Sequence, residues 1–196
     1  EYFTIESLEN GLTAKLSINT CEYRIDDGSW NTLSANTNTP SVNKGQKISF
    51  KITNPAIPNG IGRFTISKKC NLKGNIMSLL YGDGFENKTS FEGSKKGGQF
   101  AEMFFRIIGL VSAGDLILPA TELTKGCYCK MFIGCSSLVN APKLPATKLA
   151  EECYYYMFWD CRSLTSAPAL PATTLAKDCY NHMFRGCTSL TTAPEL

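Results

Sequence analysis

The sequence predicts a two-part fold: an all-β sandwich followed by a right-handed α/β solenoid. Three observations predict it: a 26-residue repeat in the second half, an apolar stripe inside each repeat, and alternating apolar and polar residues near the beginning. Of the 196 residues, 43% are hydrophobic and only 19% are charged, which is enough apolar material for a folded core. The predicted division is residues 1–70 and 71–196.

The first part reads as a series of short strands. Apolar and polar residues alternate over residues 12–18 and again over 48–52, and each pattern predicts a half-buried strand. The sequence Asp-Asp-Gly-Ser at 26–29 lies between two such segments and predicts a hairpin turn. Several short strands at this spacing are typical of an immunoglobulin-like sandwich. Such a domain would cap the first repeat, and carbohydrate or peptide binding is its alternative role.

The second part contains three consecutive copies of one sequence, at residues 118–143, 144–169 and 170–195. Leu-Pro-Ala-Thr, Cys-Tyr, Met-Phe, Cys, Ser-Leu and Ala-Pro recur in register, without a gap. Residues 71–117 contain degenerate copies, in which Met103 and Phe104 keep the spacing of Met131 and Phe132. The Gly- and Lys-rich residues 82–98 are predicted to form an inserted surface loop.

Each copy is predicted to contain one helix and one short extended segment. In the last copy, apolar residues from Leu175 to Cys187 fall at i, i+1, i+4, i+5, i+8, i+9 and i+12, which indicates one face of a helix. Pro194 lies in the segment that would cross back as a brief strand. A strand and a helix repeated every 20 to 29 residues or so is the leucine-rich-repeat arrangement, and it predicts a curved solenoid with a concave strand face.

The repeat motif Cys-Tyr-x-x-Met-Phe-x-Gly-Cys-x-Ser-Leu-Thr-x-Ala-Pro-x-Leu-Pro-Ala-Thr resembles the BspA-like leucine-rich repeat of surface proteins in Bacteroides-type bacteria. The match covers about residues 100–196. Its Ala-Pro-x-Leu-Pro segment departs from the family's more usual strand. The resemblance implies an exported protein at the bacterial cell surface, outer-membrane-attached as a lipoprotein or secreted, that acts in adhesion. Some relatives bind host matrix proteins, but the resemblance implies no particular ligand.

Six of the nine cysteines fall into two columns of the repeat. Paired cysteines are eight residues apart, about 12 Å along a helix, which exceeds the roughly 7 Å Cα limit for a disulfide. A zinc site would need ligands that converge rather than spread along the repeats. We therefore predict two ladders of buried thiols that pack as small hydrophobic side chains. The columns are Cys127, Cys153 and Cys179, and Cys135, Cys161 and Cys187.

The remaining three cysteines lie outside these columns. Cys129 is expected to be an exposed free thiol, because it falls outside the apolar stripe. A disulfide between Cys21 and Cys70 is left open, since an oxidising exported environment would permit it.

No catalytic, metal or cofactor site is predicted. His182 is the only histidine, which rules out Ser-His, Cys-His and multi-histidine sites within the chain, and a surface position is expected for it. The net charge of +3 without a strongly cationic region predicts no nucleic-acid partner. Apolar runs such as residues 107–111 are far shorter than a membrane span.

Candidate binding residues are the outward positions of the copy 144–169, where Tyr155, Tyr156 and Trp159 form the only aromatic set. Exposed aromatic clusters are enriched at interaction sites, although these rings could instead pack on residues 82–98. The leading hypothesis is a non-enzymatic module that binds a protein ligand, for example a host matrix protein. The alternatives are a carbohydrate-binding protein that grips a glycan with the sandwich and exposed aromatics, and a stalk that spaces another domain from the cell.

Both ends of the sequence carry expectations. The chain begins at Glu1 rather than Met, so we expect that an export signal has been removed and that any membrane contact is through a removed N-terminal anchor. Leu196 would begin another repeat, which leaves an apolar edge bare. We therefore expect either that the chain continues or that it forms a homo-oligomer through this end of the solenoid.

Overall fold

Eight strands and one short helix organise the protein, which a computed structural model describes for residues 1–53, 60–91 and 97–194. The helix α1 spans Ser78–Tyr81 and is followed by a 3-10 turn at Gly82–Phe85. The strands in chain order are β1 (Phe3–Ser7), β2 (Ala14–Leu16), β3 (Cys21–Ile25), β4 (Asn31–Leu33), β5 (Lys47–Ile52), β6 (Phe64–Ile66), β7 (Cys70–Asn75) and β8 (Leu110–Ile117).

Six of these strands form one mixed sheet in the order β4-β3-β5-β1-β7-β8. All its pairs are antiparallel except β7 with β8, which is parallel. Strands β2 and β6 pair separately. In the centre of the large sheet, Ile5 lies opposite Ile48 on one side and Leu72 on the other, and all three are buried. The predicted strand at 48–52 and the hairpin at 26–29 are confirmed, whereas the strand predicted over 12–18 is limited to Ala14–Leu16 and leaves Ile18 exposed.

The predicted fold class, an immunoglobulin-like sandwich followed by a right-handed α/β leucine-rich-repeat solenoid, is wrong. Across the ranges described above, α-helix is limited to the four residues of α1. A six-stranded mixed sheet and the separate pair β2–β6 replace the predicted immunoglobulin-like sandwich, and β8 forms the edge of the large sheet beside β7. One hydrophobic core extends from Phe3 to Cys187. The division at residue 70 stays a prediction.

Four runs of consecutive turns replace the predicted helices, and we call them turn units: residues 98–107 (first), 126–135 (second), 152–161 (third) and 178–187 (fourth). Within a unit, every second N–H donates to the carbonyl three residues back, as Met131 does to Tyr128 at 3.2 Å. The intervening N–H groups donate to the next unit, as Tyr128 does to Cys153 at 3.0 Å. Neighbouring units are therefore joined along their length.

The turn units look helical in sequence because their true period is four residues. A left-handed residue recurs at every fourth position, with φ of 55° at Lys130 and 73° at Gly134. Four residues of an α-helix rotate about 400°, so a strict period of four drifts by about 40° each time and leaves one face within a few turns. In the turn units the chain returns to the same orientation after every four residues, without this drift. Adjacent pairs such as Met131 and Phe132 therefore point inward in successive turns.

Two columns of stacked rings run through the units. In one, Phe100, Tyr128, Tyr154 and Tyr180 follow one another with centroids 5.8 to 5.9 Å apart. In the other, Phe104, Phe132, Phe158 and Phe184 are 5.4 to 5.7 Å apart. Phe104 also contacts Phe3 of β1 at 5.7 Å. The ring columns and the sheet therefore share one core.

Within the part of the chain that the structure describes, no helix has the length and apolarity to cross a membrane.

Candidate binding surface

The three predicted binding residues lie together on the outside of the third turn unit. The rings of Tyr155 and Tyr156 have centroids 4.2 Å apart, and Tyr156 and Trp159 are 4.6 Å apart. All three side chains are partly exposed. They point outward because Tyr154 and Phe158 occupy the inward positions of the four-residue period and are buried in the ring columns.

Two residues of the fourth unit extend this cluster. The ring of His182 stacks on Tyr156 at 4.8 Å with an interplanar angle of 9°, and the guanidinium of Arg185 lies 5.3 Å from the centre of the Trp159 ring. Both residues are exposed. We refer to Tyr155, Tyr156, Trp159, His182 and Arg185 as the aromatic patch.

Sequence reasoning placed His182 correctly at the surface but did not connect it or Arg185 with the aromatic set. The repeat register could have connected them, because His182 follows Tyr156 by 26 residues and Arg185 follows Trp159 by the same interval. In a repeat whose units lie side by side, equal positions become neighbours.

The backbone fixes the aromatic patch. Tyr156 and His182 both have left-handed φ angles, 54° and 55°, and the N–H of Tyr156 donates to the carbonyl of Asn181 at 3.0 Å. The rings also contact one another, and side chains that are already restrained lose less freedom when they meet a ligand, which favours binding. A hydrogen bond with Tyr156 raises the pKa of Tyr155, so the Tyr155 phenol is neutral near pH 7. The patch therefore offers flat ring faces, phenol groups and one fixed cation, Arg185.

The corresponding positions of the second unit are less aromatic. Cys129, Lys130 and Ile133 occupy them and are all half-buried. Cys129 was expected to be exposed; it is a free thiol, and partial burial raises its pKa. The aromatic patch therefore ends at this side.

The alternative packing of these rings on residues 82–98 receives no support from the part of that segment which the structure describes. The ring contacts of Tyr155, Tyr156 and Trp159 lead to one another, to His182 and to Arg185, and none leads to residues 82–91 or 97–98. Residues 92–96 of the predicted loop, like Leu196, lie outside the described residues.

The six column cysteines are all buried and all free. In one column the thiols reach across to the preceding unit: Cys135, Cys161 and Cys187 donate to the carbonyls of Phe104, Phe132 and Phe158 at 3.0 to 3.1 Å. In the other column Cys127, Cys153 and Cys179 lie inside the core.

Burial also makes the thiols of Cys135 and Cys153 chemically inert near neutral pH. It raises the pKa of Cys135 to about 12 and that of Cys153 to about 11, and only the thiolate is a nucleophile. The columns are therefore packing elements rather than reactive centres. Cys21 and Cys70, left open as a disulfide, are separate buried thiols. Among the described residues, no group of three or more His, Cys, Asp and Glu side chains could hold a metal ion.

No family model, curated protein or solved structure matches the chain.

Proposed function

We propose that the chain is a non-enzymatic module that binds a protein ligand through the aromatic patch. The observation that carries this proposal is the continuity of the patch: the rings of Tyr155, Tyr156 and Trp159 continue onto His182 of the next unit. The ring columns already supply the core with Tyr154 and Phe158. Aromatic residues and arginine are also the types most enriched at protein interfaces and their energetic centres.

The resemblance of the repeat motif to BspA-like surface proteins supports an exported, cell-surface location for this binding module. It also makes host matrix proteins the first class of ligand to test. Anchoring through a removed N-terminal segment belongs to the same proposal. The sequence has no strongly cationic region, so its charge does not favour nucleic acid as a partner.

A panel of immobilised matrix proteins, run beside a glycan array, tests the proposal. We expect a matrix protein to bind, and Trp159→Ala to lower that affinity by about 5- to 30-fold, equivalent to about 1 to 2 kcal/mol, while the circular dichroism spectrum is retained. Thr165→Asp is the matched control, since Thr165 is exposed and lies outside the aromatic patch. Unchanged affinity in Trp159→Ala together with a loss in Thr165→Asp would move the site away from the patch.

Glycan binding is the second candidate, and the flat, partly exposed ring of Trp159 favours it, since such rings can pack against sugars. The other tryptophan is less suitable, because Arg24 and Lys51 lie 4.9 and 4.6 Å from the centre of the Trp30 ring. Binding on the glycan array that is lost in Trp159→Ala, without any matrix-protein binding, would establish this function instead.

A further inference from the structure

One row of outward positions is apolar across three turn units. It consists of Phe105 in the first unit, Ile133 in the second and Trp159 in the third, and all three side chains are partly exposed. Backbone hydrogen bonds place these positions side by side, since the N–H of Arg106 donates to the carbonyl of Ile133 at 2.8 Å. The N–H of Gly134 donates to the carbonyl of Trp159 at 2.7 Å in the same way. We call Phe105, Ile133 and Trp159 the apolar row.

Arginine side chains lie at both ends of the apolar row. At one end, the guanidinium groups of Arg63 and Arg106 lie 4.5 and 5.2 Å from the centre of the Phe105 ring. At the other end, the guanidinium of Arg185 lies 5.3 Å from the centre of the Trp159 ring. All three arginines are exposed. The surface therefore presents cations at two ends and apolar side chains between them.

The acidic side chains near this surface are engaged by other cations. Glu102, beside one end, forms ion pairs with Arg63 and, at 4.0 Å, with Lys130. Asp160, beside the other end, lies 3.9 Å from Arg162. Two carboxylates are therefore shared among three cations that are not at the disposal of a ligand.

Arg106 and Arg185 have no ion-pair partner among the described residues. Their accessibility does not depend on what lies beside the fourth unit, because units meet edge to edge and outward side chains point away from those edges. Trp159 shows this, since it stays partly exposed although the second and fourth units flank the third. Both arginines can therefore donate to carboxylates of a ligand.

The spacing of these features fits an extended peptide. Backbone-bonded segments lie about 4.8 Å apart, so Phe105 and the equivalent position Arg185, three units further, are separated by about 14 Å. In an extended peptide, side chains i and i+4 point to the same side and lie about 13 Å apart. Acidic side chains at i and i+4 would therefore reach the arginines at both ends. An apolar side chain at i+2 would contact Ile133 and Trp159.

We propose that the apolar row and its flanking arginines bind an extended segment of the protein ligand with the pattern acid-x-apolar-x-acid, in which each acid is Asp or Glu. The proposal depends on the function proposed above and names the epitope that this function recognises. Arg106 and Arg185 pair with the two acids. The apolar row, which shares Trp159 with the aromatic patch, covers the side chain between them.

Two synthetic peptides of identical composition test this epitope by isothermal titration calorimetry with the full chain. The first, acetyl-Thr-Glu-Thr-Leu-Thr-Glu-Thr-amide, carries the proposed spacing. The second, acetyl-Thr-Thr-Glu-Leu-Glu-Thr-Thr-amide, places its acids on the opposite side from the leucine. We expect the first peptide to bind with a dissociation constant below about 1 mM and the second to bind about tenfold more weakly.

A double substitution identifies the cations that the first peptide uses. Arg106→Gln combined with Arg185→Gln should weaken its binding by about tenfold while the circular dichroism spectrum is retained. Lys44→Gln combined with Lys143→Gln is the matched control, because it removes the same charge from exposed positions outside the apolar row. Binding in this control should equal that of the unaltered chain.

The epitope and the proposed function can fail separately. Absence of binding by the first peptide at about 1 mM, equal binding of both peptides, or a loss in the lysine variant but not in the arginine variant overturns the epitope. If a matrix protein nevertheless binds and Trp159→Ala weakens it, the proposed function stands without this epitope. If the first peptide binds through the arginines but no matrix protein does, the epitope stands and its source is another protein.

Discussion

The sheet and the turn units satisfy the same backbone groups in different ways. In the sheet, β3–β4 and β7–β8 are consecutive in the chain, but the other pairs join distant segments, since β1 lies between β5 and β7. In the first three turn units, half of the N–H groups bond locally and the other half bond to the next unit or the residue just before it, always in chain order. The comparison teaches that a sheet takes its order from tertiary contacts, whereas the turn units take theirs from the repeat length.

The two regions also pack their aromatic rings differently. Phe3 and Phe50 of the large sheet and Phe64 of β6 meet at angles of 34 to 68°. In the columns, Phe132 and Phe158 are nearly parallel at 3°. Similar side chains at the same spacing stack into columns. The packing of each inner ring then depends on a neighbouring ring at both of its faces.

The largest effect expected is at the middle of a column. Phe158 is fully buried between Phe132 and Phe184, so Phe158→Ala should lower the free energy of unfolding by about 3 to 5 kcal/mol in urea titrations. Phe184→Ala should cost clearly less, because Phe184 is half-buried and stacked on one side. A cost below about 1 kcal/mol for Phe158→Ala would contradict the column packing.

A glycine of the turn units should be less replaceable than one near the sheet. Gly186 has φ of 77°, and an added Cβ would collide with Oδ1 of Asp160, so Gly186→Ala should cost about 2 kcal/mol. Gly84, after α1, has an ordinary φ of −83° and open space around it. Thermal unfolding of both variants makes the comparison, and equal losses would argue against left-handed turns.

The buried thiols should make the protein sensitive to alkali. Because the pKa of Cys135 is raised to about 12 by burial, the folded state keeps a proton that the unfolded chain releases above about pH 9. The stabilisation is complete below pH 9 and falls by about 1.4 kcal/mol per pH unit between 9 and 12 for this thiol.

Urea titrations of Cys135→Ala and the unaltered chain at pH 8, 9 and 10 isolate this contribution, since all other titrations are common to both. The slope should be shallower in the variant, and Cys70→Ala in the sheet should act alike, because burial raises the pKa of Cys70 to about 12 as well. Parallel pH profiles for variant and parent would show that the thiol is not held neutral.

The substitution with the smallest expected effect distinguishes most directly between a helix and a turn unit. Lys130 has φ of 55°, a conformation that costs most side chains about 1 to 2 kcal/mol, so Lys130→Gly should be neutral or stabilise the protein by up to about 1 kcal/mol. In a helix the same change would cost about 1 kcal/mol. Ala176→Gly, at a position without positive φ, is the control and should lower the free energy of unfolding. A loss of stability in Lys130→Gly, with none in Ala176→Gly, would support a helix instead of a turn unit.

The candidate surface was reached from the sequence only in part. Tyr155, Tyr156 and Trp159 could be chosen because the repeat makes its variable positions visible. His182 and Arg185 were left out, since packed helices lie roughly 8 to 10 Å apart and would keep outward side chains at equal positions from stacking. Knowledge that equal positions stack would have been sufficient to include them.

The sequence by itself determined the register of the repeats, the inward position of paired residues such as Met157 and Phe158, and the strands of the first part, because these follow from spacing and alternation. Only the tertiary structure decided the sheet order, the parallel addition of β8, and turns in place of helices. The physical reason is that the alternate N–H groups of a turn unit find their acceptors in another unit. The N–H of Tyr154 bonds to Cys179, 25 residues away, and no local propensity contains that acceptor.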